Sequence, residues 1–326
     1  MMDDDDLKRH GPSRRAVQYA GRVEMPIAML ERVMGSRVVQ SDVAPTPGGP
    51  KNRTALVLLE DGRRLAVQAY SDRRIAQLRL KAAQQLAAPL REHGVPVPRV
   101  LFSELEDTPP WAVFEALPGE PGYVAADHDL SRSNFLPIAR DMGRVLRGFS
   151  ELDPDAFDLP RLWTDVAALS EAAERWLAPL EPHLSTGDAR AVRDLIEAMP
   201  GMLAGRPAVV CHGDFGPHNV LVVGERISGL LDFEDARIGD PLLDASWWAW
   251  AVRAHTPEAF TRTWTAFLEA AGIDPTEPGF DDRVVTLAIL LILETAERFR
   301  HSAPERHPGW GARISRTLAW RGLPLT

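Results

Sequence analysis

The spacing of apolar positions changes character about a third of the way along the chain. Up to residue 117 most apolar runs are short and bounded by turn residues. Arg37–Val43, Thr54–Glu60 and Arg63–Tyr70 read as strands. Asp61-Gly62 between the second and third is a strong hairpin signal. Pro45-Thr46-Pro47-Gly48-Gly49-Pro50-Lys51-Asn52 suits neither a helix nor a strand interior and reads as a loop. A short helix is expected over Pro26–Met34. A longer one is expected over Arg73–Arg91, with Ile75, Leu78, Ala82 and Leu86 on its apolar face. His93-Gly94 ends that helix, and two more strands fit Arg99–Phe102 and Trp111–Leu117. Pro118-Gly119 breaks the pattern, and the boundary between two lobes is placed there.

Beyond it the spacing is mainly helical. Helices are expected over Ser133–Leu152, Leu162–Leu180, Ala189–Met199, Pro241–Arg253, Pro257–Ala271, Asp282–Arg300 and Gly311–Arg321. A short β-containing insert, Ala208–Asp232, interrupts them. The pattern thus predicts an α+β protein, with an N-lobe over residues 16–117 and a larger helical C-lobe over 118–326. Residues 1–15 are charged, lack periodicity and are expected to form a disordered tail.

Charge adds a second asymmetry. The whole chain carries −9, yet residues 7–117 carry +6 and residues 118–326 carry −11. A basic front half suits a polyanion such as a nucleotide, and an acidic back half suits a cationic second ligand. Equally, the two halves are simply solvated surfaces of uneven composition, and charge alone does not choose. Overall acidity argues against a nucleic-acid partner. No apolar run is long enough to span a membrane. The acidic start, Asp3 to Asp6, lacks the features of a secretion signal, so a cytoplasmic location is expected. One cysteine, Cys211, excludes a disulfide within the chain and reads as a small core residue.

The chemistry is concentrated in Cys211-His212-Gly213-Asp214-Phe215-Gly216-Pro217-His218-Asn219, followed by Leu230-Leu231-Asp232-Phe233-Glu234. Phosphoryl transfer needs one carboxylate to orient or accept the proton of a hydroxyl, and oxygen ligands for a divalent metal on the phosphates. Positioning and electrostatics do the rest. Asp214, Asn219 and Asp232 can supply those groups. Taken singly, they are ordinary turn or cap residues. Taken together, their spacing calls for an explanation.

His212-x-Asp214 with Asn219, then Leu-Leu-Asp232-Phe-Glu234 and Gly239-Asp240-Pro241-Leu242-x-Asp244, resemble the motifs of aminoglycoside phosphotransferases and their relatives. The resemblance implies a two-lobed protein-kinase-like fold and transfer of phosphate from ATP or GTP, with Mg²⁺, to a hydroxyl of a small molecule. It implies Asp214 as catalytic base, Asn219 and Asp232 as metal ligands, and His212 and Asp240 as supports of the loop. In the N-lobe it implies a phosphate loop around Gly48 and Gly49, and a base-binding hinge at Glu115 and Leu117.

One position departs from the pattern. Where the family has a strand cation, this chain has Gln68, and no acidic residue lies between Arg73 and Arg91. Either Lys81 supplies the cation from the helix, or the clamp is weakened and the protein is a slow enzyme or a nucleotide-binding pseudokinase. Candidates for holding the acceptor are Glu234, Asp235, Trp247, Asp281, Asp282, Glu294 and Glu297. Glu294 continues the stripe of Val284, Leu287 and Leu291, so it either lines a cleft or pairs with Arg298. An aminoglycoside or related antibiotic fits these features. Macrolide, choline-like, homoserine and sugar acceptors also occur in the family.

Overall fold

The computed structural model describes residues 27–43, 52–70, 72–122, 135–301 and 303–325. The tail expected over residues 1–15 lies outside the described residues, as do Gly48 and Gly49.

Asp61-Gly62 closes a tight hairpin, with Gly62 at φ +85°, a conformation that favours glycine. Leu59 N–H donates to Arg63 O at 2.9 Å across it. The strands it joins, β2 (Asn52–Leu59) and β3 (Arg64–Tyr70), lie inside an antiparallel sheet with β1 (Val38–Val43), β4 (Val100–Glu104) and β5 (Trp111–Glu115), in the order β1-β2-β3-β5-β4. β5 is apolar at consecutive positions because both its faces are covered. Trp111 and Val113 pack with Leu30 of α1 (Ile27–Met34), while Ala112 and Phe114 pack with Tyr70, Ala76 and Leu80.

Ala76 and Leu80 belong to α2 (Arg73–Glu92), which lies where the spacing predicts it; of the expected face Ala82 and Leu86 are buried, Leu78 is not, and the Ile75 side chain lies outside what is described. Ala76, Leu80, Ala83, Leu86, Ala87 and Leu90 are buried, whereas Leu78 is 50% exposed. The stripe that fits a 3.6-residue period runs through Ala76 and Leu80. Arg79, three residues after Ala76 and four before Ala83, therefore lies along its inner edge.

The C-lobe is built from α3 (Phe135–Ser150), α4 (Val166–Leu177), α5 (Thr186–Leu203), α6 (Leu243–His255), α7 (Pro257–Ala271), α8 (Phe280–Arg298) and α9 (His307–Leu318). Asp165 and Ser185 cap α4 and α5 through the amides of Ala168 and Asp188. Every residue of α8 from Arg283 to Leu293 is buried, so α8 forms the axis of this lobe. The predicted insert is present as β7 (Val209–Cys211), β8 (Val220–Val223) and β9 (Arg226–Leu230). β7 pairs with β10 (Arg237–Gly239), and β6 (Glu120–Pro121) joins β8 and β9 in a second small sheet. Buried Asp141 of α3 accepts from Ile227 N–H at 2.8 Å, which ties the β8–β9 hairpin to the helical core.

α3 and α7 meet closely because Gly143 has no side chain. A Cβ there would lie 2.4 Å from Phe267 O. Gly143→Ala is therefore expected to lower unfolding free energy by about 1–3 kcal/mol. Denaturant unfolding measures this, and unchanged stability would show that the helices can part without cost.

Candidate active site

The loop after β7 is held from below. The Asp244 carboxylate, at the start of α6, accepts from His212 N–H at 2.7 Å and from Gly213 N–H at 2.8 Å. Burial pushes the Asp244 carboxyl up, while His212, these two amides and Arg237 pull it back. Gly213 sits at φ +83°, and a Cβ there would lie 2.0 Å from Asp235 O, so the turn requires glycine. His212 is fully buried among Phe149, Phe215 and Phe233. Its Nε2 lies 2.8 Å from Leu231 O, and a carbonyl can only accept, so Nε2 carries the proton. Nδ1 then accepts from Asp214 N–H at 3.3 Å. Both ring nitrogens are engaged. His212 joins the Asp214 loop to the strand end that bears Asp232.

Asp214 is gripped on three sides. Trp247 Nε1–H donates to Oδ1 at 2.6 Å, Asn219 Nδ2–H donates to Oδ2 at 2.9 Å, and His218 Nε2 faces Oδ2 at 3.3 Å. Burial pushes the Asp214 carboxyl up. The hydrogen bond and charge of His218, with His212 and Trp247, outweigh it and hold the carboxyl at about 2. Burial likewise lowers His218, and Asp214 more than offsets it, so His218 is raised. An Asp214 this acidic stays ionised at neutral pH and is a weak base. It suits orienting a hydroxyl and taking its proton late.

Asp232 follows β9 in the left-handed region, at φ 63°, and is the only non-glycine residue with positive φ among the described residues. Leu231 N–H donates to Asn219 O at 2.9 Å, which fixes the two proposed metal ligands relative to each other. Asn219 donates its amide N–H groups to Asp214, leaving Oδ1 as an oxygen donor. A guanidinium already stands by Asp232, since Arg79 Nη1 lies 3.4 Å from Oδ1. One amide oxygen and one carboxylate that attracts a cation fit Mg²⁺, which takes its remaining ligands from phosphates and water.

Three expectations need correction. Lys81 does not face this site. It is half-exposed on the outer side of α2 and pairs with Asp158, because one helical residue beyond Leu80 turns it away from the cleft. The α2 cation at the loop is Arg79, which pairs with Asp232 and Glu234. Asp240 does not hold the Asp214 loop through its carboxylate. That group accepts from Leu242 N–H at 2.8 Å and meets Arg206 at 3.3 Å, and Asp244 holds the loop instead. Most of the acceptor-side acids are already paired. Glu294 meets Arg237 at 2.6 Å and Arg298 at 3.2 Å, Asp235 meets the same two arginines, and Glu297 meets Arg300 at 3.3 Å. Glu294 thus takes its salt-bridge alternative.

Asp282 is exposed on the first turn of α8, and Asp281 accepts from Leu325 N–H at 3.4 Å. Trp247 stacks on Trp250, ring centroids 4.6 Å apart, with its N–H committed to Asp214. In the N-lobe Gln68 accepts from Tyr70 O–H at 3.0 Å. Glu115 ends β5, its amide donating to Arg99 O at 2.9 Å, and half-buried Leu117 follows. Asp244 and Arg79 had signals in the sequence. Asp244 closes the Gly239–Asp244 motif, and Arg79 is a cation on an apolar stripe.

A five-stranded antiparallel sheet beside a helical lobe, with an aspartate loop between short strands, defines a kinase-like phosphotransferase fold. The chain belongs to the phosphotransferase enzyme family, whose model matches residues 42–280. Over 157 residues it is 31% identical to an aminoglycoside 3'-phosphotransferase of Streptomyces fradiae, and over 156 residues 30% identical to one of Streptomyces ribosidificus. Each alignment covers 46% of this chain and 56% of the relative, so the chain spans little more than half the length of these relatives. In shape it matches a thermostable mutant of aminoglycoside phosphotransferase APH(4)-Ia, solved with AMP-PNP and hygromycin B. The TM-score is 0.69 at 14% identity, covering 91% of this chain and 99% of that one. It also matches macrolide 2'-phosphotransferase MphH from Brachybacterium faecium, with TM-score 0.61 at 22% identity, covering 91% and 97%. At these identities the likeness establishes the fold. No helix among the described residues is long and apolar enough to cross a membrane.

Asp244→Asn replaces one of the two accepting oxygens with an N–H donor and sets it against a backbone N–H. The expected loss is about 1–3 kcal/mol of stability in denaturant unfolding. Equal stability of the two proteins would remove Asp244 as the anchor of the loop.

Proposed function

We propose that this chain transfers a phosphoryl group from ATP or GTP, with Mg²⁺, to a hydroxyl of a small molecule such as an aminoglycoside or related antibiotic. The observation that carries the proposal is the fixed Asp214 carboxylate, oriented by Trp247, Asn219 and His218 and joined through His212 to Asp232. Asp214 orients the acceptor hydroxyl and takes its proton. Asn219 and Asp232 would hold Mg²⁺, which supplies charge neutralisation on the phosphates when bound. The pseudokinase alternative is not favoured, because the chain belongs to a family of enzymes and keeps all three groups of the loop.

Support for this acceptor class comes from the relatives at 31% and 30% identity, which are aminoglycoside 3'-phosphotransferases. Support for a cationic acceptor lies in the overall −11 charge of residues 118–326. Individual carboxylates add less, since Glu234, Asp235, Glu294 and Glu297 are each neutralised by an arginine.

The test is product mass spectrometry after incubation with ATP or GTP, Mg²⁺ and a panel of aminoglycosides, macrolides and smaller hydroxylated amines. One acceptor is expected to gain a phosphoryl group. Asp214→Asn is expected to slow that reaction by about 10²–10⁴-fold. Turnover undiminished in Asp214→Asn would contradict the proposed role.

A further inference from the structure

A nucleoside triphosphate brings about four negative charges against a loop that already presents Asp214, Asp232 and Glu234. A divalent metal offsets only part of that charge, so the N-lobe has to contribute a cation facing the loop. β3 does not contribute one at Gln68, whose amide oxygen is engaged by the Tyr70 hydroxyl at 3.0 Å.

The cations of α2 separate cleanly by where they go. Arg73 pairs with Glu106, Arg74 is exposed on the first turn, Lys81 pairs with Asp158, and Arg91 donates to Val97 O. Arg79 turns inward. Its side chain is 13% exposed, it ion-pairs with Asp232 and Glu234, and its guanidinium lies 5.9 Å from the centroid of the Tyr70 ring. Among the described residues it is the N-lobe cation that is ion-paired with this loop. α2 packs directly on the Phe233–Asp235 turn, so the helix backbone that carries Arg79 is anchored against the loop it serves.

We infer that Arg79 is a nucleotide-phosphate-binding residue of this chain, supplying from helix α2 the positive charge that Gln68 does not supply from the strand. The inference rests on the proposed phosphotransferase reading. A guanidinium touching Asp232 stands beside whatever Asp232 holds. Its fork geometry allows one edge to stay on Glu234 while the other turns to phosphate oxygens. With no nucleotide present, Arg79 bridges both carboxylates and compensates their mutual repulsion. With nucleotide and Mg²⁺ bound, Asp232 would hold the metal and Arg79 would keep Glu234. Glu234 is then a positioning residue for the guanidinium rather than a ligand of the acceptor.

The test is binding of ATP, GTP and the two corresponding nucleosides to wild type, Arg79→Ala, Arg79→Lys and Gln68→Lys/Arg79→Ala, by calorimetry with and without Mg²⁺. Arg79→Ala is expected to weaken the bound triphosphate at least about tenfold while leaving nucleoside affinity unchanged. Arg79→Lys, which keeps the charge but not the fork, is expected to fall between the two. The Gln68→Lys/Arg79→Ala double variant is expected to recover part of the loss. A purely structural Arg79 would weaken nucleoside and triphosphate alike, and that result would overturn the inference. Equal triphosphate affinity in wild type and Arg79→Ala would overturn it too. Failure of wild type to bind any nucleotide would instead sink the proposed function, so the two failures are distinguishable. Thermal melts of each variant report whether the fold is intact.

Discussion

The site depends on one buried carboxylate. Asp244 takes the N–H groups of His212 and Gly213 and thereby fixes where the chain leaves β7. Everything after that point inherits its position. His212, once its backbone is placed, can hold both the amide of Asp214 and the carbonyl of Leu231. Asn219 then spans from its own backbone contact with Leu231 to the Asp214 carboxylate. A carboxylate with two backbone donors is a strong local anchor, because removing either side leaves buried polar groups unpaired. The strained backbone of Asp232 is tolerated because the flanking strand and the histidine bridge leave it no alternative.

A second constraint surrounds the first. Arg237, 4% exposed, joins Asp235 and Glu294, and Arg298 meets the same two acids. Arg79 repeats the device from the N-lobe side with Asp232 and Glu234. These pairs hold α2 and α8 against the Phe233–Asp235 turn by charge as well as packing. They also change what the cleft offers. A carboxylate satisfied by a buried guanidinium contributes to architecture more than to recognition of an incoming amine. Under the proposed function, the acidic C-lobe would draw a cationic acceptor as a field, while its recognition would fall to groups not already paired.

Much of this was legible in the sequence where the signal is local. Asp61-Gly62 marks its hairpin because the required backbone favours glycine. The helix Pro257–Ala271 was predicted with both bounds as observed, since Pro at its start and Gly272 after its end punctuate it. Asp214, Asn219 and Asp232 stood out because their chemistry and spacing coincide. What the sequence concealed was phase and pairing. On α2, Leu78 falls outside the buried stripe, and the cation at the loop is Arg79, two residues before the Lys81 to which the family resemblance pointed. Between Asp240 and Asp244 both carboxylates are buried, and composition does not say which meets the loop. The ion pairs of Glu294 and Asp235 join residues 57 and 63 positions distant, beyond any local pattern.

The account stands on Asn219 and Asp232 holding a metal–nucleotide complex beside Asp214. The most direct measurement is a Mn²⁺ titration by electron paramagnetic resonance, in the presence of ATP or GTP, on wild type and Asp232→Ala. Saturable binding of the Mn²⁺–nucleotide complex to wild type, lost in a folded Asp232→Ala variant, is the predicted result. Equal binding by the two proteins would contradict it.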